Sequence, residues 1–155
     1  MARKLTSIRA ALLGLLFSPT AVADDAIDGD ADAAPEAVSN EVSRAYPRAH
    51  IVSTTRGADD AWRVRVTDGV ASRDLLIDAH GNLVAQAEAV PAAAAPRALR
   101  RAVERQFGAT TIWRTERVLD PAGELWRVTF ATKSRVGEAL LSPDGHLVHA
   151  SFDVT

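Results

Sequence analysis

An internal repeat restricts the fold of this chain more than any single motif does. The stretches 35–90 and 96–155 contain the same signals in the same order. Corresponding pairs include Pro35 and Pro96, Ile51 and Ile112 and, after a three-residue insertion in the second copy, Trp62 and Trp126, and Gly81 and Gly145. A period of about sixty residues is too long for most solenoid repeats, so each copy is predicted to be a small α+β unit that completes its core against its twin.

Residues 1–23 have the order of a secretory signal peptide. Three basic residues and no acid are followed by an apolar run at 10–17, a break at Pro19 and the small residues Ala21, Val22 and Ala23. The apolar run is too short to span a bilayer, and a short buried helix is the alternative interpretation. The sequence therefore predicts export without a membrane span, and a periplasmic or secreted mature protein.

Residues 24–34 form an acidic leader. They contain five aspartates and no basic residue, so we expect the leader to stay disordered because its charges repel one another. The whole chain has a formal net charge of −2, and its repeated region is close to neutral, which argues against a nucleic-acid partner. The chain has no cysteine, which excludes disulfides and thiolate catalysis.

Each copy is predicted to open with an amphipathic helix, and 91–95 is predicted to be a short linker. After Pro96, the residues Leu99, Val103 and Phe107 form an apolar face. The opposite side of this helix contains Arg97, Arg100, Arg101, Glu104 and Arg105. We expect that basic side to be solvated, and a docking patch is the alternative.

Four strands are predicted after each helix. The clearest are 62–67 and 126–132, where apolar and polar residues alternate. The others are 49–56, 72–78 and 83–88 in the first copy, and 110–119, 136–142 and 147–154 in the second. Short turns between successive strands imply antiparallel pairing. The predicted architecture is α+β: two tandem helix-plus-four-strand repeats forming a largely antiparallel sheet, with the helices packed on one face.

The pattern resembles the PepSY-like repeat family. Each copy has a helix ending in an aromatic residue followed by Pro or Gly (Tyr46-Pro47 and Phe107-Gly108), and then a Trp-x-Val-x-Val/Phe strand. This group is similar in plan to the β-lactamase-inhibitor-protein fold, in which tandem repeats form a curved sheet backed by helices. Trp stands here where Tyr is common, and His80 replaces the acid usual before glycine. The resemblance implies an exported, non-catalytic module that binds proteins or peptides, sometimes as an inhibitor.

No local motif indicates catalysis, a metal or a cofactor. The sequence contains no Gly-x-Ser-x-Gly elbow, no His-Glu-x-x-His and no glycine-rich phosphate loop. His146 and His149 are three residues apart, a spacing that places side chains on opposite faces of a strand. We therefore expect a protein that is not an enzyme. A hydrolase or metal-dependent enzyme with its site between the repeats is the alternative, because a spatial triad needs no local motif.

A partner-binding surface is predicted on the sheet face away from the helices. If Trp62, Ile77 and Ile51 face the helices, that surface contains Arg63, Arg65, Leu76, Trp113, Arg127, Leu140 and His149. Arg and Trp are enriched at binding hot spots, and two exposed leucines would add apolar contact. The sequence thus predicts a module that recognises a protein or peptide of the cell envelope and inhibits or regulates it. A structural envelope component is a further alternative.

Overall fold

A computed structural model describes residues 34–57 and 60–153 of the chain. The predicted signal peptide, and all of the acidic leader except Ala34, lie outside the described residues. Within the described part, no helix is long and apolar enough to cross a membrane.

The described residues form an α+β fold, as predicted. In chain order the elements are α1 (Glu36–Ala45), β1 (His50–Arg56), β2 (Trp62–Thr67), β3 (Ser72–Ile77), β4 (Leu83–Val90), a 3-10 helix (Ala92–Ala94), α2 (Arg97–Phe107), β5 (Thr111–Asp120), β6 (Gly123–Ala131), β7 (Val136–Leu141) and β8 (Leu147–Phe152). Each α-helix begins directly after a proline, Pro35 or Pro96, whose carbonyl accepts the first helical hydrogen bond. A proline fits this position because its fixed φ and missing N–H cost nothing there.

The eight strands lie in the sheet in chain order, and the pairing is antiparallel for β1–β2 and from β4 through β8. This confirms the predicted antiparallel sheet. A register shift interrupts β1 between Ile51 and Ser53, and another interrupts β5 between Ile112 and Arg114. The shifts leave Val52 and Trp113 without a direct partner on the neighbouring strand, as in a β-bulge.

The described chain divides into two compact units, and the boundary crosses β3 and β4. The first unit contains the described residues up to Val70 together with Asp74–Val84. The second contains Ala71–Arg73 and the described residues from Ala85 onward. The repeat boundaries 35–90 and 96–155 remain a prediction from the sequence.

The first unit has its core between α1 and its strands. Val38 and Val42 of the helix pack with Trp62, Val64 and Val66 of β2, and with Leu75 and Ile77 of β3. The predicted burial of Trp62 and Ile77 is confirmed. Ile51, which was expected to share this face, is 39% exposed and lies outside the core cluster, because β1 is the first strand of the sheet and has a neighbour on one side only.

The second unit has a core of the same kind. Leu99, Ala102 and Val103 of α2 pack on the β6 residues Trp126, Val128 and Phe130, with Ala139 and Leu141 from β7. Trp126 is 5% exposed, and its indole N–H donates to a Glu124 carboxylate oxygen at 2.7 Å. Because side chains alternate along a strand, Arg127 between Trp126 and Val128 points to the opposite side of the sheet.

Candidate interaction surface

Three of the seven predicted surface residues are buried. Leu76 is 6% exposed, Leu140 is 8% exposed and Arg127 is 5% exposed. The expectation of two exposed leucines was therefore wrong. Both lie on interior strands with a neighbour on each side, and Leu140 lies directly between Arg127 of β6 and His149 of β8. Long side chains at those cross-strand distances cover a leucine.

The other four predicted residues are accessible. Arg65, Trp113 and His149 are exposed, and Arg63 is half-buried. They divide between the two units: Arg63 and Arg65 are in the first unit, and Trp113 and His149 are in the second.

A network of four charged side chains is the main feature of the second unit's open face, by which we mean its sheet face away from α2. The buried Glu116 and Arg127 are cross-strand partners, and a guanidinium nitrogen of Arg127 lies 3.2 Å from a Glu116 oxygen. Arg127 also contacts Glu138 on β7 at 2.7 Å, while Arg114 contacts Glu116 at 2.8 Å. Arg and Glu thus alternate across three strands, which satisfies buried charges that would be costly alone.

The two ends of this network differ from its middle in exposure. The side chains of Glu116 and Arg127 are about 5% exposed, whereas those of Arg114 and Glu138 are 58% and 34% exposed. Burial raises the pKa of Glu138, and the nearby Arg127 charge opposes that shift. The open face therefore offers a partner one accessible guanidinium and one accessible carboxylate, each held in place by a buried opposite charge.

Trp113 directly precedes Arg114, the exposed arginine of this network, in β5. It is 60% exposed, and it is the residue that the β5 register shift leaves unpaired, between Ile112 and Arg114. Ile112 packs against the second unit's core, and Arg114 joins the charge network. An exposed indole and an exposed guanidinium are therefore adjacent in sequence at the bulge, and both residue types are enriched at binding hot spots.

The first unit has a simpler charged pair. Arg65 contacts Asp74 at 2.8 Å, and the two side chains are 55% and 27% exposed. Val52 occupies the bulge of β1 and is 58% exposed. An accessible ion pair of this kind contributes little binding or folding energy, because water screens both charges.

The histidines and carboxylates of the described residues do not gather into a metal site. Among residues 34–57 and 60–153, no group of three or more His, Asp and Glu side chains could hold a metal ion. His146 contacts Asp144 at 3.1 Å in an exposed turn, and His149 pairs across the strands with Leu140. The side chains of the open face can form ion pairs, hydrogen bonds and stacking contacts with a partner.

Reasoning from the sequence missed Arg114, Glu116 and Glu138. The available signal was the spacing of Arg114 and Glu116, two apart on a strand, which places them on the same side of the sheet. Their partner Arg127 could be named only once the register between β5 and β6 was known.

Several solved structures from Bacteroides species are similar to this chain in fold. A DUF2874 family protein of Bacteroides uniformis is 15% identical, with a TM-score of 0.69 over 77% of this chain and 89% of that one. A BLIP-like protein of Bacteroides fragilis is 15% identical, with a TM-score of 0.63 over 75% of this chain and 84% of that one. A candidate periplasmic protein of Bacteroides eggerthii is 12% identical, with a TM-score of 0.64 over 76% and 88%.

These similarities show the fold alone, which is BLIP-like. No protein-family model and no curated protein matches the sequence. The predicted plan of the β-lactamase-inhibitor-protein type agrees with the BLIP-like neighbour, whereas the finer PepSY-like resemblance still rests on the sequence motifs.

Proposed function

We propose that this protein is a non-catalytic binding module that recognises a protein or peptide of the cell envelope and inhibits or regulates it. The observation that supports this best is the exposed Trp113 beside the exposed Arg114, on a strand whose ion pairs are buried. A rigid aromatic and a fixed guanidinium lose little conformational freedom on binding, which favours their use as anchors.

The cell-envelope location rests on two kinds of support. The first 23 residues have the order of a signal peptide. A BLIP-like protein and a candidate periplasmic protein share the fold. We propose that the mature protein is periplasmic or secreted. We also propose that it binds its partner without catalysing a reaction, as its resemblance to PepSY-like repeats implies.

We propose further that the chain consists of two tandem PepSY-like repeats. Both units have a helix after a proline, a Trp-x-Val strand and a bulge in the strand that follows the helix. In the sequence alignment of the copies, Val52 and Trp113 occupy the same position. This correspondence supplies a matched control for the binding experiment.

The binding site can be tested by photo-crosslinking in envelope extract. A photoreactive phenylalanine analogue would replace Trp113 in one variant and Val52 in another, since both positions are exposed bulge residues. We expect a specific crosslinked partner from position 113, competed by excess wild-type protein and less well by Trp113→Ala. Equal products from both positions, or full competition by Trp113→Ala, would contradict the assigned surface.

The remaining predicted residues can be ranked in the same assay. Arg63→Ala and Arg65→Ala change the first unit, and Arg114→Ala and His149→Ala change the second. We expect the second-unit variants to compete less well than the first-unit variants. Circular dichroism and thermal unfolding would verify that each variant is folded.

A further inference from the structure

A cavity of about 360 Å³ lies in the second unit, beside α2 on the opposite side of the sheet from the charge network. Its apolar lining includes Leu99 of α2, Ile112 of β5 and Val128 of β6. Leu99 and Val128 are essentially inaccessible to solvent, so the apolar surface that a ligand can reach belongs to Ile112, Ala93 and Pro96. The cavity thus borders the core of the unit, and its volume is within the size range of small-molecule sites.

Three arginines of α2 also line this cavity: Arg97, Arg100 and Arg101. All three are exposed, and within the described part of the chain none forms an ion pair or a side-chain hydrogen bond. Glu104 is the acidic residue in the lining. The cavity thus combines an apolar interior with an excess of uncompensated positive charge.

The corresponding positions of the first unit do not have this charge. In the alignment of the two copies, Arg97, Arg100 and Arg101 correspond to Glu36, Ser39 and Asn40. The apolar lining is nevertheless similar, because Val38, Ile51 and Val64 correspond to Leu99, Ile112 and Val128. Folding of a unit therefore does not require the three arginines.

We propose that this cavity binds a small amphipathic carboxylate, with its aliphatic chain against Ile112, Ala93 and Pro96 and its carboxylate at the arginines. A cavity of about 360 Å³ accommodates a medium-length aliphatic chain. A guanidinium binds a carboxylate through charge-assisted hydrogen bonds and does so without a metal. This site is separate from the proposed protein-binding surface and does not depend on it.

Octanoate is a suitable probe, with octanol and inorganic phosphate as its two matched controls. Titration of the purified protein would be followed by two-dimensional NMR of its backbone amides. We expect saturable shifts with octanoate at residues lining the cavity, such as Ala93 and Ile112, and binding at least about tenfold weaker for octanol and for phosphate. If octanol binds as tightly as octanoate, the carboxylate charge does not contribute to binding. If phosphate binds as tightly as octanoate, the arginines bind any anion and the aliphatic chain does not contribute. Either outcome, or octanoate shifts that do not saturate, would overturn the proposal.

Single substitutions compare the octanoate affinity lost at each cavity arginine with that lost at Arg105, an arginine of the same helix outside the cavity. Arg97→Ser, Arg100→Ser and Arg101→Ser should each weaken octanoate about two- to fivefold, the effect typical of an accessible charged contact. Arg105→Ser should change it less than about twofold. Ala93→Phe should abolish binding by filling the cavity, with thermal unfolding to verify the fold. Equal effects of Arg100→Ser and Arg105→Ser would overturn the proposal, and this comparison decides the matter if Ala93→Phe does not fold.

Discussion

The strand after each helix contains a bulge, and the bulge holds Val52 in the first unit but Trp113 in the second. Both residues are about equally exposed, at 58% and 60%. Around them the cores are built alike: each helix packs on a buried Trp-x-Val strand. The backbone feature is therefore shared, while the side chain that it presents differs.

The open faces differ more strongly. The second unit has the buried pair Glu116 and Arg127, where the sequence alignment gives Thr55 and Arg63 in the first unit. On the α2 side of its sheet, the second unit also has an aromatic cluster. Phe107 stacks on Phe130 with ring centroids 4.8 Å apart, and Phe152 contacts both rings edge-on. The two copies share the apolar alternation of their core strands, so the positions where the copies differ are the candidates for a specific function.

Arg127→Met should have the largest effect on folding. It removes two ion pairs and leaves the buried carboxylate of Glu116 with the exposed Arg114 as its remaining partner. We therefore expect a loss of about 3 kcal/mol in the free energy of unfolding, the lower end of the range for a broken buried pair. Arg63→Met, at the corresponding half-buried position of the first unit, should cost less than about 1 kcal/mol. Urea unfolding of both variants would measure the difference. Equal losses of unfolding free energy would mean that the charge network stabilises the second unit no more than Arg63 stabilises the first.

Gly137→Ala should disturb the aromatic cluster of the second unit. A Cβ at this position would lie 2.8 Å from Phe130 and 2.9 Å from Phe152, so we expect a cost of about 1–3 kcal/mol from overpacking. Near-UV circular dichroism should change as the rings shift. Gly69→Ala is the control: its φ is +86°, but a Cβ there meets no atom within 4 Å, so it should leave the aromatic signal unchanged. An unchanged near-UV spectrum for Gly137→Ala would contradict tight ring packing.

The fold was predictable because its determinants are local. The alternation of Trp62, Val64 and Val66, and its repeat in the second copy, predict two buried strands whose ends lie within three residues of the observed ends. Prolines mark the helix starts, and short turns impose antiparallel neighbours. None of these signals depends on knowing which residues meet across the sheet.

The candidate surface was only partly predictable because its properties depend on register. Leu140 was expected to be exposed, yet it lies between Arg127 and His149 on the neighbouring strands and is covered. The pairing of Arg127 with Glu116 likewise exists only in the observed β5–β6 register, which includes the bulge at Trp113. Alternation assigns a residue to a face, but cross-strand neighbours decide whether it is exposed.

Glu138 should give the second unit a pH dependence of stability that Glu138→Gln lacks. Burial raises its pKa above the unfolded value of 4.5, so the folded state binds the proton more tightly. Relative to Glu138→Gln, the wild type should therefore lose stability as the pH rises from below 4.5 through the raised pKa. Urea unfolding of both proteins at a series of pH values would measure this. A difference that stays constant or grows with pH would contradict the raised pKa.

The smallest expected effect comes from exchanging a turn residue between the units. In the first unit a carboxylate oxygen of Asp78 accepts hydrogen bonds from the backbone N–H groups of His80 and Asn82, both at 2.9 Å. The alignment places Ser142 at the same position in the second unit, where its hydroxyl accepts from the backbone N–H of His146 at 3.0 Å. Asp78→Ser therefore keeps a turn acceptor and removes its charge.

We expect Asp78→Ser to cost less than about 1 kcal/mol near neutral pH, because water screens a partly exposed carboxylate. The hydrogen bond from the Asn82 backbone is the largest cause that lowers the pKa of Asp78 below 3.8. Its stabilisation is thus present above pH 3.8 and is lost as the pH falls through the lowered pKa. Wild type and variant should differ in urea unfolding at pH 7, and the difference should shrink as the pH falls below 3.8. If the difference in unfolding free energy persists at acidic pH, the charge of Asp78 is not its cause. The two turns would then differ in geometry rather than in charge.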